Sequence, residues 1–334
     1  MEKIAIVTGG TGFIGSHLVE LLHKNEYTVV VPVRTHSDTS RLPSDVIRIE
    51  AAMDNLEPLI PYIEKAELIF HLAGLTRAGS DEELFNVNSL ATADLMYLVS
   101  IHLSPKLKRF VLASSQAASA PSICDGDFIL PVDESEECNP ISRYGKSKCQ
   151  AETIARGWND SFPITIVRPP SVYGPRDKDI FVYFKLANMG LLPILGDPSR
   201  AFSIIHVEDL AKAFYFAATS PQTVGEIFFA ANCEPVTWDD FAYKMRDTVH
   251  KITGKKPIVF RLPIFFIKPL AWISSTISFF TNRPPLLSKE KLHEMSYSWV
   301  CDSSKICNLG YSTEIPLEQG LTESYRWYKN NHWL

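Results

Sequence analysis

The chain opens with a short apolar run and a cluster of glycines, and this pattern limits the fold more than any other. Residues 4–7 are all apolar, as expected for a strand buried on both faces. Gly9, Gly10, Gly12 and Gly15 follow, and an amphipathic helical run comes next. Glycines allow the backbone to approach a pyrophosphate closely, and a helix N-terminus supplies amide donors for its oxygens. The pattern therefore predicts a strand–turn–helix unit that binds a dinucleotide.

The tip of the predicted second strand indicates which dinucleotide is bound. Residues 28–33 read as a strand that ends at Arg34, and no acidic residue stands at that position. An acid there pairs with the ribose hydroxyls of NAD, whereas arginine suits a 2′-phosphate. We therefore expect a preference for NADP(H) through Arg34, with NAD(H) as the alternative. A solvated arginine at a strand end is the other interpretation.

Tyr144 and Lys148 form a second informative pattern further along the chain. Four residues make about one helical turn, so the phenol and the ammonium share a helix face. An ammonium near a phenol favours the phenolate, and a free tyrosine with a pKa of about 10 needs such help near neutral pH. A solvated helix face is the competing interpretation of such a pair. Downstream of a nucleotide signature, the pair predicts proton transfer.

Composition restricts the class of protein. The chain has 334 residues and a formal net charge of −5, with no long basic run, which argues against a nucleic-acid partner. Its six cysteines form no Cys-x-x-Cys and no Cys/His cluster with zinc spacing, so we expect no metal site. Because the first strand begins almost at the start, we expect no signal peptide and a cytoplasmic location.

The order of the predicted elements indicates an α/β fold with a Rossmann-type, doubly wound parallel sheet. Strand-like and helix-like runs alternate as far as residue 167, and the pattern then becomes irregular and rich in proline. Residues 203–211 and 226–230 look like returns to the first domain. We therefore predict a dinucleotide-binding domain of residues 1–167 and 204–230, and a smaller substrate domain of residues 168–203 and 231–334.

Five motifs together resemble the extended short-chain dehydrogenase/reductases, which include nucleotide-sugar epimerases, dihydroflavonol reductases and 3β-hydroxysteroid dehydrogenases. The resemblance covers essentially the whole chain. The motifs, in order, are TGGTGFIG at 8–15, FHLAG at 70–74, FVLASS at 110–115, YGKSK at 144–148 and VRPPSVYGP at 167–175. Their joint occurrence is specific for the family but much less so for the substrate.

The resemblance implies roles for individual residues. Tyr144 would exchange a proton with the reacting oxygen, Ser115 would hydrogen-bond that oxygen, and Lys148 would bias Tyr144 and hold the nicotinamide ribose. Asn88 resembles the family's helix asparagine near the active site, with a buried structural amide as the equal alternative. The implied cofactor contacts are Gly9, Gly10, Thr11, Gly12, Phe13, Ile14, Arg34, Leu72, Ala73, Gly74, Tyr144, Lys148 and Pro170.

Departures from the subgroups of the family bear on the substrate. Sugar 4,6-dehydratases carry Asp-Glu after the catalytic hydroxyl, whereas Gln116 follows Ser115 here. Phe202 stands where epimerases usually have an arginine for the sugar-nucleotide diphosphate, although Arg200 lies close enough to substitute for it. Asp54 is out of register for binding adenine and is given no role. We therefore assign the substrate contacts to Ser115, Gln116, Tyr144 and Phe202.

Two apolar segments suggest further contacts. Residues 263–280 are apolar on every side but interrupted by Lys268 and Pro269. Three readings compete: a lid over an apolar pocket, a helix on a membrane surface without spanning it, and ordinary core. Residues 82–102 carry an apolar stripe broader than one sheet face needs. In the family that this chain resembles, the equivalent helix joins a dimer bundle, so we expect a homodimer.

The sequence thus predicts an NADP(H)-preferring oxidoreductase that interconverts a secondary alcohol and a ketone on a small, largely apolar substrate. Sterol-, terpenoid- and flavonoid-like molecules are the expected class. A nucleotide-sugar 4-epimerase or reductase is the alternative enzyme. A non-catalytic cofactor sensor is a third interpretation, against which the intact Ser115, Tyr144 and Lys148 argue.

Overall fold

The computed structural model describes residues 2–53, 55–126, 128–265, 267–269 and 289–334. Within these ranges the strands are β1 Ile4–Thr8, β2 Thr28–Val33, β3 Ile47–Glu50, β4 Ala66–His71, β5 Arg109–Ala113, β6 Ile123–Asp125, β7 Phe128–Leu130, β8 Ile164–Arg168, β9 Ser171–Tyr173, β10 Leu191–Leu195, β11 Ala201–Phe202, β12 Ile204–His206, β13 Ile227–Phe229, β14 Val236–Thr237 and β15 Ile258–Leu262.

The α-helices of the same part are α1 Phe13–Lys24, α2 Ile60–Ile63, α3 Asp81–Phe85, α4 Ala91–Ile101, α5 Arg143–Arg156, α6 Phe181–Asn188, α7 Val207–Thr219, α8 Trp238–Thr253, α9 Lys289–Glu294, α10 Ser304–Asn308 and α11 Leu317–Asn330. A π-helical turn, Asn86–Leu90, joins α3 to α4. Short 3₁₀ turns cover Glu57–Leu59, Gln116–Ala118 and Pro221–Thr223.

Seven parallel strands form the main sheet, in the order β13-β8-β5-β4-β1-β2-β3. This arrangement confirms the predicted doubly wound sheet. Every residue of β1, β4, β5 and β8 is buried. Apolar residues predominate in these strands because helices cover both faces of the sheet.

Two hydrophobic cores lie on opposite faces of the main sheet. On one face, α1 and α7 bury side chains such as Leu18 and Phe214 against strand residues such as Val7. On the other face, α4 and α5 pack residues such as Leu95 and Ala151 against the sheet. The alternation of strand side chains between the two cores follows from the two-residue period of a strand. Because the strands are parallel, the carboxyl ends of β1, β4 and β5 lie at the same edge of the sheet, and the predicted motifs meet there.

The C-terminal region forms a smaller part with its own core. Its strand pairs are β10 with β15, β9 with β12 and β11 with β14. Aromatic side chains from α6, α8 and α11 fill this core, including Phe184, Phe241 and Tyr328. β13 pairs with β8 in the main sheet, whereas β12 pairs with β9 outside it. The exact domain boundaries stay a prediction.

The helical stretch Asp81–Ile101 is, among the described residues, long and apolar enough in length and composition to cross a membrane. That test is weak evidence, because core helices of soluble proteins also pass it. Here Leu95, Met96 and Val99 pack in the core beside the sheet. Of the apolar segment 263–280, residues 266 and 270–280 lie outside the described ranges, as does residue 54. Phe265 is 74% exposed, whereas Ile267 packs against Leu292.

Candidate active site

The glycine turn after β1 brings two backbone segments into contact. A Cβ on Gly15 would lie 2.2 Å from the carbonyl oxygen of Gly9, so α1 rests directly on the turn. Gly12 is the N-cap of α1, and Thr11, Phe13 and Ile14 complete the turn. The cradle has no space for added side chains, and its amides lie at a helix N-terminus. It therefore fits the pyrophosphate of a dinucleotide.

A chain of hydrogen bonds fixes the strand ends beside this turn. The amide of Ala73 donates to Thr8 Oγ1 (3.2 Å), and that hydroxyl donates to Nδ1 of His71 (2.7 Å). Nε2 of His71 donates to Thr92 Oγ1 (3.0 Å), which in turn donates to the carbonyl of Asn88 (2.8 Å). Burial lowers the pKa of His71 to about 3, so the imidazole is neutral. The network holds residues 72–74, which include the predicted contacts Leu72, Ala73 and Gly74, against the glycine turn.

Ser115 and Tyr144 meet because α5 approaches the loop after β5 closely. A Cβ on Gly145 would lie 2.0 Å from the carbonyl oxygen of Ala117, so only glycine fits at this contact. Ser142 caps α5 and accepts a hydrogen bond from the amide of Gly145 (3.2 Å). A hydrogen bond joins Tyr144 to Ser115. Folding thus brings Ser115 and Tyr144, which belong to two separate sequence motifs, together at one edge of the sheet.

Burial dominates the pKa of Tyr144. It raises that pKa to about 12, and the hydrogen bond with Ser115 opposes the rise. Lys148 is not among the groups that shift this pKa, so its effect on Tyr144 stays a prediction. Lys148 instead donates a hydrogen bond from Nζ to the carbonyl of Ala113 (2.8 Å). Burial lowers the pKa of Lys148 to about 8, and Glu152 partly opposes this.

Asn88 lies beside Lys148 but makes structural contacts. An added Cβ on Gly74 would be 2.9 Å from Asn88 Oδ1 and 3.3 Å from Lys148 Nζ, so these groups surround the same point. Oδ1 of Asn88 accepts from the amide of Leu75 (2.7 Å), and Nδ2 donates to the carbonyl of Leu75 (2.8 Å) and to Ser147 Oγ (2.9 Å). This amide ties the loop after β4 to the helix that carries Tyr144 and Lys148.

A buried ion pair behind the site was missed from the sequence. Arg168 donates from Nε and Nη2 to the two carboxylate oxygens of Glu152 (2.9 and 2.7 Å), and both side chains are buried. Ser114 Oγ also donates to Glu152. Breaking one partner of such a pair leaves an uncompensated buried charge. The pair locks α5 to the ends of β5 and β8. Arg168 lies within the VRPP motif, but nothing local identifies its partner.

A cavity of about 440 Å³ opens between the two parts of the protein. Of the residues predicted to form the site, seven line it together: Phe13, Ile14, Ser115, Gln116, Tyr144, Pro170 and Phe202. Lys148 is buried behind them, and the exposed Arg34 follows β2 at a separate strand end. The fold thus brings the predicted residues Ser115, Tyr144 and Phe202 around one space.

Apart from Phe202, much of the cavity lining comes from residues to which the sequence analysis gave no site role. Phe202 packs against Trp238, with ring centroids 4.4 Å apart, and against Phe241 at 5.9 Å. Further lining residues are Thr76, Asp177, Asp179, Ile180, Tyr183, Lys291, Glu294, Met295, Tyr297 and Trp299. Arg200, considered as a substitute for a diphosphate-binding arginine, forms an ion pair with Asp197 (3.3 Å). The lining therefore combines an aromatic cluster around Phe202 with four charged side chains, Asp177, Asp179, Lys291 and Glu294.

Comparison with known proteins places the chain in a family. Residues 5–231 match the NAD dependent epimerase/dehydratase family, and the chain belongs to it. A ceramide reductase of Caulobacter vibrioides (strain NA1000 / CB15N) is 30% identical over 99% of this chain and 96% of its own. A 3beta-hydroxysteroid-dehydrogenase/decarboxylase isoform 1 of Arabidopsis thaliana is 25% identical over 96% and 78% of the two chains.

Solved structures show the same fold. The UDP-glucose 4-epimerase of Thermotoga maritima, solved with UDP-glucose, superposes with a TM-score of 0.76 at 21% identity, covering 98% of this chain and 99% of the other. The resemblance to extended short-chain dehydrogenase/reductases is therefore confirmed, and the protein is an NAD-dependent enzyme of that type. These relatives act on both lipids and sugar nucleotides by name, so they leave the substrate type unsettled.

Proposed function

We propose that the protein interconverts a secondary alcohol and a ketone on a largely apolar substrate of sterol-, terpenoid- or flavonoid-like character. The observation that carries the proposal is the cavity that Ser115 and Tyr144 line together with Phe202, Trp238 and Phe241. Burying an apolar ligand against such a wall contributes about 25 cal/mol per Å² removed from water. The ceramide reductase and hydroxysteroid dehydrogenase relatives support the same class.

Different residues of this chain have different roles at the reacting oxygen. The bound nicotinamide supplies or accepts the hydride. Tyr144 donates a proton from its hydroxyl to a carbonyl oxygen, or accepts one from an alcohol. Ser115 hydrogen-bonds the same oxygen and directs it towards Tyr144, to which Ser115 is already joined. The buried Lys148 places a positive charge beneath the site.

The alternative function is that of a nucleotide-sugar 4-epimerase or reductase. The family description and the cation Lys291 in the cavity lining favour it, since an ammonium can bind a diphosphate. Against it, Phe202 takes the place of the usual arginine, and Arg200 is paired with Asp197. Lys291 lies within 3.1 Å of Glu294, which reduces its availability for an anion.

A ligand panel tests the two functions directly. Purified protein with saturating cofactor is screened by thermal shift and by absorbance turnover against sterols, flavonoids, and UDP- and dTDP-sugars. We expect apolar alcohols or ketones to raise the melting temperature and to be turned over. Saturable binding of a UDP-sugar, without any response to an apolar alcohol or ketone, would overturn the proposal and favour the epimerase.

We also propose that NADP(H) is the preferred cofactor. Arg34 is exposed directly after β2, and its backbone amide donates to Ser37 Oγ (3.0 Å), which shapes the loop there. The fold also brings an acid near this loop, since Thr35 donates to Glu50 (2.7 Å). That carboxylate supports NAD(H) as the alternative. Titrations of both cofactors decide between them: we expect Arg34→Ala to weaken NADP(H) roughly 10- to 100-fold, while equal wild-type affinities would refute the preference.

The remaining proposals concern assembly and location. We propose a cytoplasmic homodimer formed through the α4 face, where Leu90, Tyr97 and Ile101 are 53%, 59% and 54% exposed. Contact with a membrane surface, without spanning it, stays a secondary proposal that rests on the exposed Phe265. Light scattering of the wild type and of Tyr97→Asp tests the dimer, and purification without detergent tests the location. A wild-type monomer would contradict the dimer.

A further inference from the structure

Two arginines next to the candidate active site each contact an acid in the C-terminal part of the protein. Arg77, in the loop after β4, forms an ion pair with Asp179, which lies just before α6. Arg143, the first residue of α5, donates from Nε to Oε1 of Glu290 in α9 (2.9 Å). Asp81, at the start of α3, also accepts from Arg143. Each ion pair therefore joins the two parts between which the cavity opens.

Both ion pairs lie at the rim of the cavity. Asp179 is itself a lining residue, and its arginine partner directly follows the lining residue Thr76. The other arginine directly precedes Tyr144, and its partner Glu290 directly precedes the lining residue Lys291. The four paired side chains are between 37% and 58% exposed, so they lie where the lining meets solvent.

Residues 289–299, the α9 section, form one part of the cavity lining. The lining residues in this section are Lys291, Glu294, Met295, Tyr297 and Trp299. Its C-terminal end is anchored, because the amide of Trp299 donates to the carbonyl of Ala201 (2.8 Å). Its helix packs through Leu292 on residues of the C-terminal part. The contact of Glu290 with Arg143 ties the other end of the section to α5.

The position of the α9 section also matters to Tyr144. Burial is the main cause of the raised pKa of Tyr144, and the carboxylates of Glu294 and Asp179 raise that pKa further. Asp179 belongs to one ion pair, and Glu294 lies one helical turn after the acid of the other. The two ion pairs thus fix where these two charges lie relative to Tyr144.

We propose that these two ion pairs, Arg77–Asp179 and Arg143–Glu290, form a clasp that keeps the cavity closed and controls how a substrate enters and leaves. An ion pair at the surface shifts an equilibrium by only about two- to fivefold, and dissolved salt screens it. Such contacts are weak enough to break and re-form in each turnover. The proposal goes beyond the proposed alcohol–ketone function, since any substrate needs access to the cavity.

Hydrogen exchange, followed by mass spectrometry on the full chain without ligand, tests the clasp directly. The amides of residues 295–297 are hydrogen-bonded within the α9 section. We expect Arg143→Met and Glu290→Gln to speed exchange of these amides roughly two- to fivefold, with no change in β5. The double variant should exchange no faster than either single variant, because both substitutions remove the same contact. Arg77→Met should have a similar effect on the amides of residues 179–181, which donate to the carboxylate of Asp177.

Salt provides a readout that a loss of packing would not move. In the wild type, about 0.5 M NaCl should speed exchange at residues 295–297 as much as the variants do, and it should add little in Arg143→Met. Arg143→Lys keeps the charge and should restore most of the wild-type protection. Arg246→Met removes another partly exposed ion pair, with Asp247 on α8, and should leave exchange at residues 295–297 unchanged.

Kinetics connect the clasp to turnover. With an apolar ketone from the ligand panel, Arg77→Met and Arg143→Met should raise KM roughly two- to fivefold and change kcat less, because Ser115 and Tyr144 are untouched. If no such ketone is turned over, the proposed function fails, but the exchange experiment still decides the clasp. Unchanged exchange beside either ion pair, an equal rise in β5, or the same salt response in the wild type and Arg143→Met would overturn it.

Discussion

The two sides of the cavity are built in different ways. The cofactor side joins the glycine turn, the loop after β5 and the first turn of α5, where backbone lies against backbone. Added Cβ atoms on Gly15 and Gly145 would lie 2.2 and 2.0 Å from carbonyl oxygens. The substrate side consists of aromatic rings from several segments, such as Phe202 and Trp238 at 4.4 Å.

This difference determines what each side tolerates. Two backbone segments in contact leave no space for a side chain, so one added methyl group on the cofactor side must move the chain. A wall of side chains can repack when an apolar residue is replaced by another of similar size. We therefore expect the cofactor side to be sensitive to the smallest substitutions, and the substrate side to change specificity at little cost in stability.

The largest expected effect lies where the two sides meet. Tyr144→Phe removes the hydroxyl that we propose transfers the proton, so turnover should fall roughly 10²-fold or more while cofactor affinity stays near the wild-type value. Stopped-flow turnover and cofactor titration measure the two quantities. Tyr183→Phe removes a hydroxyl from the same cavity lining and serves as the control. Unchanged turnover in Tyr144→Phe would disprove the assignment.

The next effect tests the backbone contact itself. Gly15→Ala places a methyl group against Gly9 and should displace the turn by about an ångström, weakening the cofactor roughly 10- to 100-fold. Gly157→Ala, at the far end of α5, has its nearest contact at 3.2 Å and should bind the cofactor normally. Calorimetric titration of both variants gives the comparison. Wild-type cofactor affinity in Gly15→Ala would contradict the inference that the glycine turn cannot accommodate an added methyl group.

A smaller effect concerns the buried charge on the cofactor side. The pKa of Lys148 is about 8 in the folded protein, below about 10.5 in the unfolded chain, so folding is penalised below pH 8 and stability rises between pH 8 and 10.5. Lys148→Met should therefore raise the free energy of unfolding at pH 7, by on the order of 1–3 kcal/mol. The gain should disappear near pH 10.5. Urea unfolding across this range checks it, and a pH-independent difference would contradict the titration of Lys148.

The smallest expected effect lies on the substrate side. Phe202→Leu keeps an apolar residue against Trp238, so it should cost less than about 1.5 kcal/mol in stability. Its consequence should appear in the ranking of apolar ligands by affinity, with cofactor binding unaffected. Thermal unfolding and ligand titrations measure both. A loss of cofactor affinity in this variant would remove the distinction between the two sides.

Much of the cofactor side could be predicted because its signals are local. The glycine spacing at 9–15 and the one-turn spacing of Tyr144 and Lys148 specify a turn and a helix face whatever lies around them. The bounds of β2, Thr28–Val33, are the predicted ones. The substrate side could be predicted only at Phe202, through a departure from a family pattern. Trp238, Phe241 and Trp299 reach the cavity through contacts between distant segments.

The sequence alone thus determined the parallel sheet and the glycine turn, and it predicted Ser115, Tyr144 and Lys148 as the reactive groups, since each of these inferences rests on local sequence patterns. The tertiary structure decided how those groups are protonated, because the pKa values of Tyr144 and Lys148 depend on burial by residues far away in the chain. It also decided that Glu152 pairs with Arg168. Hydrogen bonds and desolvation act through space, and only the folded chain establishes which groups are neighbours.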